Sequence, residues 1–253
     1  MKTKRKNPEK KAEGTDLPLF YAPGFLETLS LPEEESKHAI RVLRLTEGDR
    51  ILVSDGAGAL YRATIGSATS REVFVSPEEE LAPTAPPKPL LRLAVAPTKN
   101  IDRIEWLLEK MVEVGLGELI LLYTERTVRH QTNLERLEKV MISALKQSRK
   151  RFITKITERS GGVEALFAET QHPEGQCAYI GYCDERFPRT PITEVFRKGT
   201  PSLFLIGPEG DFTPEEVETA VRHGAKPVTL GDERLRTETA ALYAGILHAV
   251  LNS

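Results

Sequence analysis

Cysteine is scarce in this sequence. Its two cysteines, Cys177 and Cys183, lack the spacing of a metal site and suit a reducing cytoplasm, which is the expected compartment. The five histidines form no H-E-x-x-H or similar cluster, so no metal is expected. Long hydrophobic runs are missing too. None approaches the roughly 18 apolar residues that span a bilayer, so no membrane association is expected. The start, Met1 to Lys6, is basic but no apolar core follows it, so no secretory signal is expected. Nor is there an excess of one charge. A net charge of −2 argues against a protein that coats nucleic acid indiscriminately, while leaving open RNA binding by locally clustered charge. No internal repeat is evident.

What is present suggests two domains, because 253 residues exceed one average domain. Residues 1–16 are expected to form a basic, disordered tail, which reads either as solubilising or as an arm for RNA phosphates. Residues 17–76 contain short alternating runs (RILVSDG, GALYRATIG, REVFVS) with Gly-containing turns, the pattern of a small β-rich domain. The stretch SPEEELAPTAPPKP follows, and its five prolines mark residues 77–89 as a stiff linker. From residue 90 to 253 strand and helix patterns alternate. LLRLAVAP, ELILLY, CAYIGYC and SLFLIG read as buried strands. Between them, Ile104, Leu108, Met111 and Val112 recur at helical spacing, as do Leu134, Leu137, Met141 and Leu145. Capping boxes are expected at Thr132/Glu135 and Thr213/Glu216, the second with Pro214 at the first helical position. The alternation predicts a mostly parallel sheet covered by helices, an α/β domain.

In such sheets ligands bind where loops leave the carboxyl ends of strands. Two loops stand out. One is Leu205-Ile206-Gly207-Pro208-Glu209-Gly210-Asp211, whose glycines let a ligand approach the backbone. It lacks the Lys-Ser/Thr ending of a nucleotide-triphosphate loop, which excludes an ATPase or GTPase of that kind. By itself it is also an ordinary strand-to-helix turn. The other is Leu230-Gly231 with Leu235-Arg236-Thr237-Glu238 ahead of the last apolar helix. There Thr237 is expected to be the N-cap and Glu238 to favour the helix dipole. Arg236 has no such structural role, and its guanidinium is placed to meet an anion or a polarised carbonyl.

Phe204 to Asp211 and Leu230 to Ala241, with Lys99 to Arg129 and HAIRVLRL at His38 to Leu45, resemble the RsmE family. These are the uridine-N3 methyltransferases of 16S ribosomal RNA in the SPOUT superfamily. The resemblance covers nearly everything from Pro18 onward. It implies an N-terminal PUA-like β-barrel that helps to bind RNA and a C-terminal SPOUT α/β domain with a trefoil knot. It also implies S-adenosylmethionine as cofactor, 16S rRNA of the small ribosomal subunit as partner, and a homodimer that builds each active site from two subunits. By motif match the cofactor residues are Leu205, Ile206, Gly207, Glu209, Gly210, Leu230, Gly231 and Leu235. Two departures stand out. Asp211 follows Gly210 where relatives carry a second glycine, and Lys146-Gln147-Ser148-Arg149-Lys150 replaces a Glu-Gln-Ser-Gly-Arg segment.

N3 of uracil carries a proton at neutral pH and is a poor nucleophile until it leaves. Its attack on a sulfonium methyl is a direct displacement, which requires positioning, a proton acceptor and donors for charge developing on the uracil oxygens. Arg236 is the candidate donor, and Glu238 and Glu209 are the candidate acceptors, with bulk water as an alternative. RNA contacts are expected from Lys37, His38, Arg41 and Arg44, where Lys37, Arg41 and Arg44 would form one helical stripe with Ile40 and Leu43 facing inward. In the second domain they are expected from Lys99, Arg103, Lys146, Arg149 and Arg151. Two other readings remain: another SPOUT enzyme, acting on a ribose hydroxyl or a tRNA base, and an RNA-binding protein without chemistry.

Overall fold

The computed structural model describes residues 17–69, 71–82, 84–169, 173–184 and 187–253, so the predicted basic tail lies outside the described residues. Contacts divide the chain into two units, Met1–Ala85 and Pro86–Ser253.

The first unit is a curled sheet of β1 (Leu19–Tyr21), β2 (Arg50–Ser54), β3 (Leu60–Ala68) and β4 (Val73–Leu81), in that order. β1 and β2 run parallel and the other pairs antiparallel. Between β1 and β2 come α1 (Phe25–Thr28) and α2 (Glu33–Lys37), and α2 runs on into a π-helical turn, His38–Val42. Curling follows from the connection: Leu31 N–H donates to Val73 O and Val75 N–H to Leu29 O, so the segment after α1 covers the β4 edge. Phe20, Ile51, Val53, Ala63, Ile65, Val73 and Val75 alternate inward, and Phe25, Leu31, Ala39 and Leu45 close over them. The expected linker begins too early. Residues 77–81 belong to β4, where Pro77 sits on an edge strand at a register shift and removes no ladder bond that the sheet depends on.

Among its described residues the second unit has seven parallel strands, which alternate with helices along the chain. They are β5 (Leu91–Val95), α3 (Asp102–Glu113), β6 (Glu118–Leu122), α4 (Leu134–Gln147), β7 (Lys155–Arg159) and α5 (Gly162–Glu169). Then come β8 (Cys177–Gly181), β9 (Thr190–Pro191), α6 (Ile192–Val195), β10 (Ser202–Ile206), α7 (Pro214–Arg222), β11 (Lys226–Thr229) and α8 (Thr237–Asn252). Their order in the sheet is β7-β6-β5-β10-β8-β11-β9. The central strands are buried on both faces, which is why they read as continuous apolar runs. Leu91, Leu93, Leu119, Leu121, Phe204 and Ile206 pack against α3, α4 and α8, while Ala94, Ile120, Ile180, Leu203 and Leu205 pack against α5 and α7. The result is a three-layer α/β/α domain.

One polar cluster interrupts the apolar sheet, at the amino ends of its strands. Arg92 and Glu118 are register partners on β5 and β6, with Arg92 Nε 2.7 Å from Glu118 Oε2. Arg92 also donates to Gln176 Oε1, and Thr157 Oγ1 donates to Glu118 Oε1.

Helix starts follow local chemistry with two corrections. Thr213 and Glu216 form the expected capping box, with Pro214 opening α7. The α4 cap, however, is Asn133, whose side chain accepts from Arg136 N–H; Thr132 instead bonds the Tyr123 hydroxyl and Glu135 pairs with Lys139. At α8 the N-cap is Arg236 rather than Thr237, because Thr237 is already helical and its hydroxyl donates to Gly207 O at 2.9 Å.

Candidate active site

Because all seven strands of the second unit are parallel, their carboxyl ends face one way. There the segments leaving β8, β10 and β11 enclose a cleft of about 1110 Å³. Ile206, Gly207, Glu209, Leu230, Gly231, Leu235 and Arg236 line it, as expected from the two loops.

The β10 loop is tightly held. A Cβ on Gly207 would lie 3.1 Å from the Phe212 ring and 3.2 Å from its backbone nitrogen, so a side chain here would have to push Phe212 aside. Arg126, in the loop after β6, donates through Nη1 to Gly210 O at 2.8 Å and Phe212 O at 3.3 Å. Glu209 Oε1 accepts from Lys99 N–H at 3.2 Å, and Arg129 Nη2 donates to Lys99 O, so the loops after β5 and β6 brace it from outside. Asp211 adopts φ 63° and accepts from Cys183 N–H, which joins the β10 loop to the segment leaving β8. Desolvation and then the Asp211 charge push the Cys183 thiol above its ordinary pKa, with Arg189 and Arg234 opposing. The β11 loop turns at Gly231, whose φ of 129° favours glycine.

Arg236 ends that loop in extended conformation, φ −72° and ψ 158°; its carbonyl accepts from Ala240 N–H, while its exposed side chain has no hydrogen-bond or ion-pair partner among the described residues. Three expected site residues lie elsewhere. Glu238 is buried with Oε1 3.7 Å from Arg103 Nε, outside the cleft lining, because the helix turns it toward α3. Arg103, at the other end of that contact, keeps about a third of its side chain exposed. Leu205 alternates onto the opposite face of β10 and is fully buried against α5 and α7. Gly210 backs onto Arg126 rather than the cleft.

Sequence reasoning missed the β8 side of the cleft: Tyr182, Cys183, Asp184, Phe187 and Arg189, together with Arg234. The available signal was the apolar strand CAYIG giving way to polar residues at the same sheet end as the two loops.

The expected RNA-facing residues are spread over both units. In the first, Arg41 and Arg44 are exposed, whereas Lys37 is held by Glu33 and Glu34 and the His38 ring packs 6.0 Å from that of Phe20. The inward placement of Leu43 is wrong. The π-helical turn and the positive φ of Arg44 carry Ala39 and Leu45 inward and leave Val42 and Leu43 exposed. In the second unit Lys99 is exposed beside the β10 loop. Lys146, Arg149 and Arg151 cluster where α4 returns to β7, at the amino ends of the strands, opposite the cleft. Among the described residues no group of three or more His, Cys, Asp or Glu side chains is placed to hold a metal, and no helix is long and apolar enough to cross a membrane.

Family models match both units: an RNA methyltransferase PUA domain over residues 31–78 and an RNA methyltransferase domain over 86–249. A crystal structure of a probable rRNA-methyltransferase from Porphyromonas gingivalis is 39% identical, with TM-score 0.86 over 93% of this chain and 98% of that one. The ribosomal RNA small subunit methyltransferase E of Neisseria gonorrhoeae, solved with S-adenosyl methionine, is 25% identical with TM-score 0.78, covering 93% of this chain and 98% of that one. The enzyme of that name from Synechocystis is 29% identical over 89% of this chain and 74% of its own length. A PUA domain ahead of an RNA methyltransferase domain thus accounts for almost the whole chain, which belongs to the RsmE family of RNA methyltransferases.

Proposed function

We propose that this protein transfers a methyl group from S-adenosylmethionine to N3 of one uridine in the 16S rRNA of the small ribosomal subunit, in the cytoplasm. The observation that carries the reading is the convergence of unpartnered Arg236 with the glycine-containing loops of β10 and β11 on a single cleft. The cleft fits this cofactor. Its volume is ample, Gly207 and Gly231 leave backbone within reach, and Glu209 suits a molecule carrying sulfonium and ammonium charges. Ile206, Gly207, Leu230, Gly231 and Leu235 would hold it. When bound, it supplies an electrophilic methyl group.

The chain's own residues then act on uracil. Arg236 donates to an oxygen of the ring as negative charge develops there on loss of the N3 proton. Glu209 is the proton acceptor retained from the sequence candidates: it lines the cleft, and Lys99 N–H on Oε1 fixes its carboxylate. Glu238 is engaged with Arg103 and is set aside. Arg41, Arg44, Lys99 and the Lys146–Arg151 cluster contact phosphates and place the RNA.

A homodimer and a trefoil knot complete the reading. Tyr243, Ile246 and Val250 form an exposed apolar stripe on α8, whereas Ala240, Ala244 and Leu247 pack against the core of the domain. That stripe supports a subunit contact, and twice the chain mass in light scattering is the check. The knot is supported by α8 starting beyond β11 and bonding back, through Thr237, to Gly207 on β10's loop.

Mass spectrometry of 16S rRNA from a strain lacking this gene tests the function. One uridine should lose a methyl at N3, and purified protein with S-adenosylmethionine should restore it. Loss of a ribose or tRNA methyl instead would favour the other enzymatic reading.

A further inference from the structure

The parallel ladder between β8 and β10 ends at the pair Gly181–Ile206. Beyond it both chains enter loops, and their backbones no longer register with each other. Asp211 spans the gap. Its Oδ2 accepts from Cys183 N–H at 2.9 Å and its Oδ1 from Phe212 N–H at 2.8 Å, while its own N–H closes a turn on Pro208 O at 2.9 Å. The carboxylate is thus fixed at both oxygens, and a charged acceptor makes the bond to Cys183 stronger than a neutral one would be. Holding it there requires φ 63°, which disfavours every residue except glycine and, less severely, Asn and Asp. Asp211 takes on that backbone cost and reaches across to the neighbouring loop.

We propose that Asp211 is a positioning residue that latches the β8 segment to the β10 loop and thereby sets cofactor affinity in this chain. The inference rests on the reading of the cleft as the S-adenosylmethionine site. Both latched segments line that cleft, Tyr182 to Asp184 on one side and Ile206 to Glu209 on the other. Fixing them before binding removes an ordering cost that the ligand would otherwise meet. Asp211 acts on binding and leaves the reacting atoms to Arg236.

The test uses the full chain and two variants. Asp211→Gly relieves the backbone and removes the latch. Asp211→Asn tolerates the same φ and keeps an oxygen for Cys183 N–H. Hydrogen exchange in the ligand-free protein should show faster exchange at Cys183 in Asp211→Gly and near-normal protection in Asp211→Asn. By calorimetry, Asp211→Gly should bind S-adenosylmethionine about tenfold more weakly, equal to about 1.4 kcal/mol. Asp211→Asn should stay within about threefold, and kcat at saturating cofactor should be unchanged in both. Unaltered affinity in Asp211→Gly overturns the proposal, as does an equal loss in both variants, which would assign the effect to charge. If wild-type protein binds no S-adenosylmethionine, the cofactor reading fails, and the exchange data alone decide whether the latch exists.

Discussion

Arg236 shows how much a single residue reveals before and after folding. The sequence places a guanidinium where a strand end meets a helix start, and the structure leaves it exposed, extended and unpartnered on the cleft. If it stabilises charge on uracil only as the N3 proton departs, Arg236→Ala should lower kcat by on the order of 10² to 10³ and leave cofactor affinity unchanged. Arg236→Lys should recover part of the loss, since a point charge cannot reproduce a planar fork of donors. Single-turnover methylation beside cofactor titration measures both, and a near-normal rate in folded Arg236→Ala would remove it from the chemistry. Glu238 was not legible in the same way. Two residues of helix rotate its carboxylate toward Arg103, and no local pattern announces a partner on α3. Leu205 failed for a simpler reason: motif matching names consecutive residues, whereas strand geometry sends alternate ones to opposite faces.

Elements with strong periodicity were legible and short polar ones were not. The buried runs of β5, β6, β8 and β10 and the stripes of α3 and α4 stand in the sequence as they stand in the sheet. β7 (KITER) and β11 (KPVT) carry too little apolar character to be read as strands, and pairing with the buried strands β6 and β8 defines them. The α2 stripe failed because a π-helical turn adds a residue to the repeat. The end of α4 is informative in another way. Lys150 N–H bonds Leu145 O around Arg149 at φ 54°, a helix terminus that glycine ordinarily fills. Arg149→Gly should therefore raise stability by about 1 kcal/mol in urea unfolding. If the side chain contacts phosphate, the same change should flatten the salt dependence of RNA binding by about 0.7 in log–log slope. A variant no more stable than wild type would show that the arginine's own contacts outweigh the strain.

At the scale of the whole molecule, acid should find a specific weakness. His248, on α8, is buried edge-on to Phe196 with its Nε2 lacking a hydrogen-bond partner among the described residues. Burial lowers its pKa to about 4 from 6.5. The folded state therefore refuses a proton that the unfolded chain accepts, and stability, full above pH 6.5, should fall as pH drops toward 4. The loss attributable to this group is about 3 kcal/mol at most. His248→Leu should flatten that part of the stability–pH curve, and an unchanged curve would place the acid sensitivity elsewhere.

The Arg92–Glu118 pair bears on how the larger sheet finds its order. LRLAV, ELILL and SLFLI are similar apolar runs, and hydrophobicity alone scarcely distinguishes one parallel alignment from another. A slip of one residue would turn every side chain to the wrong layer. A slip of two would restore the layers but carry Arg92 about 6.6 Å away from Glu118. Glu118 would keep Thr157 and Lys155 on β7, but Arg92, buried without its carboxylate, would cost roughly 3 to 5 kcal/mol. The pair thus works as a key between interchangeable strands, rejecting near-miss alignments that the apolar side chains would accept, and it fixes the relative heights at which β5 and β6 deliver the loops that brace Glu209 and Gly210 from outside the cleft.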